Sequence, residues 1–232
     1  MAFLFVVATP IGNLKDITLR ALETLKEAEV ILCENIERTK KLLNFYNIEG
    51  KILVRYHQHS KLKEMEKILN FLKEGKKLAL VCDAGTPGIS DPGGKLIEFL
   101  LKNFKGELKI VPVPGPCAIC TLLSVSGFQV DRFLFLGFLP KKKKRKKFLE
   151  RIFSSKEPVV FFESPFRILK TLKEINEISK QKNVEILAVL GKELTKFYEK
   201  IYRGPLEKVI EELEKEKIKG EYIVCLKILS KV

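Results

Sequence analysis

Short, uninterrupted apolar runs alternate along the chain with segments whose apolar residues recur at helical spacing. Phe3–Ala8 reads as a strand, and Thr18–Ala28 sets Leu19, Leu22 and Leu25 along one side of a helix. The alternation continues with a strand at Val30–Cys33, a helix at Arg38–Tyr46, a strand at Ile52–Arg55 and a helix at Leu62–Glu74. It ends this half with a strand at Leu78–Cys82, a helix at Gly94–Leu101 and a strand at Leu108–Val113. Apolar strands without polar alternation, each followed by a helix, predict a parallel sheet covered on both faces.

Pro112-Val-Pro-Gly-Pro116 interrupts the pattern, because three prolines and a glycine in five residues sustain neither strand nor helix. A hinge placed here divides the chain into an N-terminal α/β domain, 1–113, and a C-terminal α/β domain, 114–232. The second half reads as a strand at Phe133–Leu136, a helix at Lys141–Phe153, a strand at Val159–Phe162 and a helix at Pro165–Ile178. Glu185–Leu190 and Tyr198–Arg203 flank a short polar turn and are expected to pair as a hairpin. A helix at Leu206–Lys217 and a strand at Glu221–Ile228 close it. The expected fold is therefore two α/β domains, the first with a mostly parallel sheet and the second with a mixed one.

Composition narrows the class. Of 232 residues, 46% are hydrophobic, which argues against intrinsic disorder. No apolar run approaches the roughly 18 residues of a membrane span. The opening MAFLFVVATP lacks a basic stretch and a small-residue cleavage site, so no secretory leader is expected. The five cysteines fit reduced thiols in a cytoplasmic protein. Cys117 and Cys120 have CxxC spacing, but no second pair completes a zinc set; of a redox dithiol and small residues opening a helix, the latter is the preferred reading. His57 and His59 lack nearby Cys or carboxylate partners in the sequence, so no metal is assigned.

Charge adds a partner. The chain carries 43 Lys and Arg against 29 Asp and Glu, a net +14. Such a balance favours an anionic partner, usually nucleic acid. A Lys- and Glu-rich surface also suits heat-stable proteins, but that bias does not explain an excess of one sign. The densest basic run is Lys141, Lys142, Lys143, Lys144, Arg145, Lys146 and Lys147. It reads as a phosphate-contacting surface or, alternatively, as a solvated helix start. Phe148, Leu149, Ile152 and Phe153 follow at helical spacing, which would dock the helix and hold the run in place.

Only four aspartates occur, and two of them, Asp83 and Asp91, bracket Asp83-Ala-Gly-Thr-Pro-Gly-Ile-Ser-Asp91 directly after the strand Leu78–Cys82. Ligands of open α/β sheets bind beyond the carboxyl ends of strands. Glycines admit a ligand close to backbone, prolines stiffen the loop, and Asp83, Thr86, Ser90 and Asp91 offer acceptors and hydroxyls. Three further strand ends look alike: Val7-Ala-Thr-Pro-Ile-Gly-Asn-Leu14, Pro112-Val-Pro-Gly-Pro-Cys-Ala118 and Glu163-Ser-Pro-Phe-Arg167. Each alone also reads as a plain connector; together they describe rigid loops around one crevice. Neither a phosphate loop nor GxGxxG is present.

VVATPIGNLKDITLRAL, VCDAGTPGISDPG, PVPGPCA, DRFLFLGFLP, FFESPFR, GKELTK and KGEYIV follow one another in order. With these motifs the chain, from about Phe3 to Leu226, closely resembles the small-subunit ribosomal RNA (cytidine-2′-O)-methyltransferases of the tetrapyrrole methylase superfamily. The resemblance implies a homodimer with S-adenosylmethionine in the cleft between its two domains, methylating a ribose 2′-hydroxyl of small-subunit (16S) ribosomal RNA. It places the cofactor against Thr9 and Pro10, then Asp83, Gly85, Thr86, Pro87, Ile89 and Ser90. Pro114, Gly115, Pro116, Cys117 and Ala118 would follow, and Phe162, Glu163 and Gly191 would close the site from the second domain.

Two motifs depart from the family. Glu34-Asn-Ile-Glu37, followed by Arg38-Thr39, stands where Glu-Asp-Thr-Arg is usual, and Phe166 stands where ESPHR has its histidine. Methyl transfer to a hydroxyl needs alignment and a proton acceptor. Glu34, Asp91, Lys192 and Glu193 are the candidates; Lys192 qualifies as a base only with a lowered pKa, and otherwise as a cation steadying an alkoxide. For each of the four, a salt-bridge or surface role is the competing reading. Arg38 and residues 141–147 are the expected RNA contacts. A precorrin-type tetrapyrrole methyltransferase and an RNA-binding protein without catalysis are the alternative functions.

Overall fold

The computed structural model of the chain describes residues 1–140 and 144–229. Contacts divide it into two compact units, Met1–Cys117 and Ala118–Val232.

The first unit is built from β1 (Ala2–Val7), α1 (Leu19–Glu27), β2 (Val30–Cys33), α2 (Ile36–Phe45), β3 (Ile52–Arg55), α3 (Leu62–Lys73), β4 (Lys77–Leu80), α4 (Gly94–Asn103) and β5 (Leu108–Val113). The strands form one sheet in the order β3-β2-β4-β1-β5, with every pairing parallel. β2 and most of β4 are buried along their length, which is why their sequences carry no polar alternation. Ala21 and Leu25 of α1 and Leu42 and Leu43 of α2 pack with Ile31, Ala79 and Val81 on one face. Ile68 and Leu72 of α3 and Leu96 and Leu100 of α4 pack with Leu4, Leu32, Leu78 and Leu80 on the other.

The second unit contains α5 (Ala118–Ser124), β6 (Leu134–Phe138), α6 (Arg145–Ser154), β7 (Val159–Glu163), α7 (Ile168–Gln181), β8 (Glu185–Lys192), β9 (Lys200–Pro205), α8 (Leu206–Glu214) and β10 (Tyr222–Leu229). Its sheet runs β6-β7-β10-β8-β9. β6 and β7 are parallel and the remaining pairings are antiparallel, so the sheet is mixed. The expected hairpin is β8 and β9. Residues of α6, α7 and α8 share one core with Phe161, Leu190, Tyr202 and Val224.

Element ends differ from the sequence expectation for local reasons. α2 begins two residues earlier than the apolar spacing indicates, because the Asn35 side chain accepts hydrogen bonds from the backbone N–H groups of Glu37 and Arg38. A short 3-10 helix at Leu14–Asp16 and the helix α5 add to the elements that periodicity resolves. Lys141, Lys142 and Lys143, the first part of the basic run, lie outside the described residues. Among the described residues no helix is long and apolar enough to cross a membrane.

Candidate functional site

β1 and β4 are neighbours, yet the chain leaves β1 toward α1 on one face and β4 toward α4 on the other. Loops diverging from adjacent parallel strands open a crevice at the carboxyl end of the sheet, where ligands of such sheets bind. The sequence puts its Gly- and Pro-rich segments there.

These loops are tied to one another. Thr9 and Gly85 form an isolated antiparallel bridge, with N–H to carbonyl distances of 2.8 and 3.0 Å. The buried Thr9 hydroxyl donates to the carbonyl of Cys82 at 3.1 Å, and the Thr86 hydroxyl donates to Pro116 at 3.3 Å. Gly85 has φ +85°, a conformation that side chains with a Cβ rarely adopt, and a Cβ there would lie 3.4 Å from Ile11. At Gly115 a Cβ would lie 3.1 Å from that of Ala8, so the third loop rests directly on the first. Pro10 and Pro87 are buried, Ile89 and Ser90 are exposed, and Ser90 has φ +61°.

Three carboxylates share this end of the sheet. Asp83 follows β4, and its Oδ2 lies 3.4 Å from Nη1 of Arg38 on α2. Its Oδ1 is buried without a hydrogen-bond partner. Glu34, just past β2, is pushed above the usual carboxylate range by burial and by the charges of Asp91 and Asp83, against a hydrogen bond from the Asp83 backbone and the charge of Arg38. Asp91 is also raised, by burial and by Asp83, with the Cys82 thiol hydrogen bond opposing. Cys82 itself, read from sequence only as a buried thiol, belongs to the site: burial and Asp91 push its pKa up, and its Sγ lies 3.3 Å from the carbonyls of Ala84 and Gly85. In a chain of net charge +14 the crevice is locally acidic. Coulomb repulsion there disfavours a phosphate-rich ligand and favours a cationic one with hydroxyls to donate.

The first unit thus brings together Thr9, Pro10, Asp83, Gly85, Thr86, Pro87 and Pro116 with Glu34 and Asp91. Pro114, Gly115 and Cys117 continue the third loop. Ala118 opens α5 and belongs to the second unit.

The remaining expected residues lie at strand ends of the second unit and are engaged there. Glu163 is buried at the end of β7. One oxygen meets Arg167 Nη2 at 2.6 Å and the Ser164 N–H at 2.8 Å; the other accepts from the Thr171 hydroxyl at 2.9 Å. Phe162 packs edge-on to Phe135 and tilted against Phe138. A Cβ on Gly191 would meet the Leu194 side chain at 2.9 Å and that of Leu122 at 3.0 Å, so a larger residue there would force those leucines to shift.

Lys192 does not have the lowered pKa that a base requires. Burial acts to lower it, but the hydrogen bond to Glu216, at 3.0 Å, and the surrounding charges outweigh burial and raise it. Glu193 is held low: burial opposes this, but Lys196 Nζ at 2.9 Å and the Glu221 N–H at 2.8 Å prevail. Lys192 ends β8 and reaches Glu216 beyond α8, whereas Glu193 opens the turn to β9 and ties it to Glu221 before β10.

The basic run is divided. Lys144, Lys146 and Lys147 are exposed, whereas Arg145 points inward. Its Nε lies 2.8 Å from Glu174, its Nη2 2.9 Å from the Thr171 hydroxyl, and its Nη1 4.0 Å from Glu163. Nothing in the apolar spacing separates Arg145 from the lysines around it. Among the described residues no cluster of His, Cys, Asp and Glu is arranged to hold a metal ion. His57 Nδ1 accepts from the His59 backbone N–H at 3.1 Å.

The model of the tetrapyrrole (corrin/porphyrin) methylases matches residues 4–210. A ribosomal RNA small subunit methyltransferase I from Thermotoga maritima is 43% identical, covering 97% of this chain and 98% of its own. A protein of the same name from Hydrogenobaculum is 44% identical over 96% of this chain and 94% of its own. The one from Bacillus subtilis is 41% identical over 97% of this chain and 74% of its own. Among solved structures, a cobalt precorrin-4 methyltransferase superposes with a TM-score of 0.69 at 19% identity, covering 96% of this chain and 94% of that one. A diphthine synthase superposes at 0.66 and 17%, covering 97% and 89%. The two structural likenesses establish the fold, and the family match together with the near full-length relatives establishes that the chain belongs to the tetrapyrrole (corrin/porphyrin) methylase family.

Proposed function

We propose that this protein transfers a methyl group from S-adenosylmethionine to a cytidine ribose 2′-hydroxyl in the RNA of the small ribosomal subunit, acting as a cytoplasmic homodimer. The observation that carries the reading is the acidic, backbone-lined crevice after β1, β4 and β5, with one Asp83 oxygen buried and unpartnered. The relatives that cover nearly the whole chain are named ribosomal RNA small subunit methyltransferase I, which supports the substrate class.

The residues present fit the cofactor. Bound there, S-adenosylmethionine supplies an electrophilic methyl on a positively charged sulfur. Asp83 Oδ1 offers an acceptor to a hydroxyl or ammonium, and Gly85 leaves backbone open to close approach. The carboxylates of Glu34, Asp83 and Asp91 favour positive charge. The loops, already tied by the Thr9–Gly85 bridge and the Thr86–Pro116 hydrogen bond, lose little freedom on binding, which conserves the alignment an in-line displacement needs. Methyl transfer to the ribose oxygen would release the hydroxyl proton, which a carboxylate of this crevice would accept. Glu34 and Asp91, whose pKa values burial raises, are suited to receive it. Lys192, with a raised pKa, would act only as a cation.

The test is transfer of labelled methyl from S-adenosylmethionine to purified small subunits lacking their own modifications. Label mapped to a single cytidine 2′-oxygen is expected. Cofactor binding with no label in RNA, but label in a precorrin, would replace the substrate. Cofactor binding with label in neither would leave a binding protein.

A further inference from the structure

We propose that Phe166, together with Lys144, Lys146 and Lys147, forms a contact surface for single-stranded RNA, with the phenyl ring stacking on an unpaired base while the lysines hold neighbouring phosphates. The proposal rests on the reading that this chain acts on RNA.

Topology places these residues together. β6 and β7 run parallel, so the segment entering α6 and the loop from β7 to α7 emerge at the same end of the sheet. The Arg145 network fixes them to each other, since this one guanidinium reaches Glu163 at the end of β7 and Thr171 and Glu174 on α7. Arg167, beside Phe166, grips the same Glu163 from the other side at 2.6 Å. With Arg145 turned inward, the exposed charges of the α6 start are lysines.

Phe166 is 96% exposed, against 0% for Phe161 in the same segment. It sits in a built turn: Pro165 precedes it, and the N–H groups of Arg167 and Ile168 both donate to the Ser164 carbonyl at 3.0 Å. A ring presented on a stiff turn gives up little conformational entropy when a flat partner lands on it. Lys170, one helical turn onward, is exposed as well. Phe138, at the carboxyl end of β6, is 59% exposed, so a second ring borders the same end of the sheet. Aromatic rings interleaved with lysines are the surface that single-stranded nucleic acid requires: bases stack on the rings and phosphates meet the charges. A protein partner would use the rings but would not call for unpaired lysine charge alone beside them.

The experiment uses the full chain and a short cytidine-containing single-stranded RNA bearing 2-aminopurine next to the cytidine. Phe166→Ala is expected to weaken binding about ten-fold, with the salt dependence unchanged and the 2-aminopurine signal on binding abolished. Phe166→Trp should keep both affinity and signal. Exchanging Lys144, Lys146 and Lys147 for Gln should reduce the salt slope by about two. The proposal is overturned if Phe166→Ala binds as the parent does, or if Phe166→Leu matches Phe166→Trp. It is also overturned if Phe166→Ala alters sedimentation of the chain while RNA affinity holds, which would assign the ring to a protein contact. A parent chain that binds neither this RNA nor small subunits removes the RNA reading itself; a parent that binds while Phe166→Ala binds equally removes only the role of Phe166.

Discussion

The guanidinium of Arg38 holds one oxygen of Asp83 at 3.4 Å and leaves the other buried and unpartnered. Arg38, which the sequence suggested as an RNA contact, is also ion-paired to Asp83. A buried acceptor lacking a donor costs free energy that a bound ligand can recover. Asp83→Asn should therefore lower S-adenosylmethionine affinity at least ten-fold. Stability should change by no more than about 1 kcal/mol, the scale of a partly exposed ion pair. Calorimetric titration beside urea unfolding reads both; unchanged affinity would remove Asp83 from the site. Arg38→Gln should raise the KM for the cofactor with little change in kcat, and Arg38→Lys should restore part of the loss.

Gly85 gives a second, backbone-based check. Its positive φ and its pairing with Thr9 are needed together. Gly85→Ala should cost about 1–3 kcal/mol of local strain and weaken cofactor binding. Gly50, also at positive φ but with open space around its Cβ position, serves as the control. Its replacement by Ala should leave cofactor affinity alone. Equal affinities for the parent and Gly85→Ala would show that the close approach of backbone is not used.

Much of this was legible in the sequence because parallel α/β units write themselves in period: buried strands as solid apolar runs, helices at three-to-four spacing. The loops announced themselves through Gly, Pro and the scarce Asp. Partnerships between distant residues were not legible. Arg145 looks like its neighbours in the basic run, yet tertiary structure turns it onto Glu163 and Glu174. Glu163 was expected as a ligand contact from its loop, and nothing in the sequence signals that both its carboxylate oxygens are also engaged within its own unit. The α2 start was missed because Asn35 acts through a cap, which apolar periodicity does not record.

On the proposed function, the acid cluster should make S-adenosylmethionine binding depend on pH. Burial first, then Asp91 and Asp83, raise Glu34; burial, then Asp83 against the Cys82 thiol, raise Asp91. A carboxyl raised by folding binds its proton more tightly in the native than in the unfolded chain. Its contribution to stability is full below the ordinary carboxylate range and is lost as pH rises through the raised value. Glu34→Gln should thus stabilise the chain most near neutral pH, with the gain vanishing in acid. Cofactor affinity should move the other way. A cationic ligand favours the ionised cluster, so affinity should fall as pH drops through the raised values, and Glu34→Gln should flatten that fall. Parallel pH series of urea unfolding and cofactor titration test both signs; a profile unchanged by Glu34→Gln would detach Glu34 from the ligand.

Glu163 separates a structural role from a ligand-binding one. Its side chain is fully buried between Arg145 and Arg167, and the two arginines are themselves mostly covered. Removing one partner of a buried ion pair leaves charge without compensation and costs about 3–5 kcal/mol. Glu163→Gln should approach the lower end, because the amide oxygen can keep the Ser164 N–H and the amide NH2 can donate to the Thr171 hydroxyl, while Arg167 loses its counter-charge. Arg145→Gln should cost less, since Glu163 keeps Arg167 at 2.6 Å. Exchange of the exposed Lys146 for Gln should leave stability within about 0.5 kcal/mol. Urea midpoints of the three variants order these effects. A stable Glu163→Gln chain with impaired cofactor binding would return Glu163 to the ligand, whereas the ranking Glu163, Arg145, Lys146 would establish the carboxylate as the internal anchor of the α6 start.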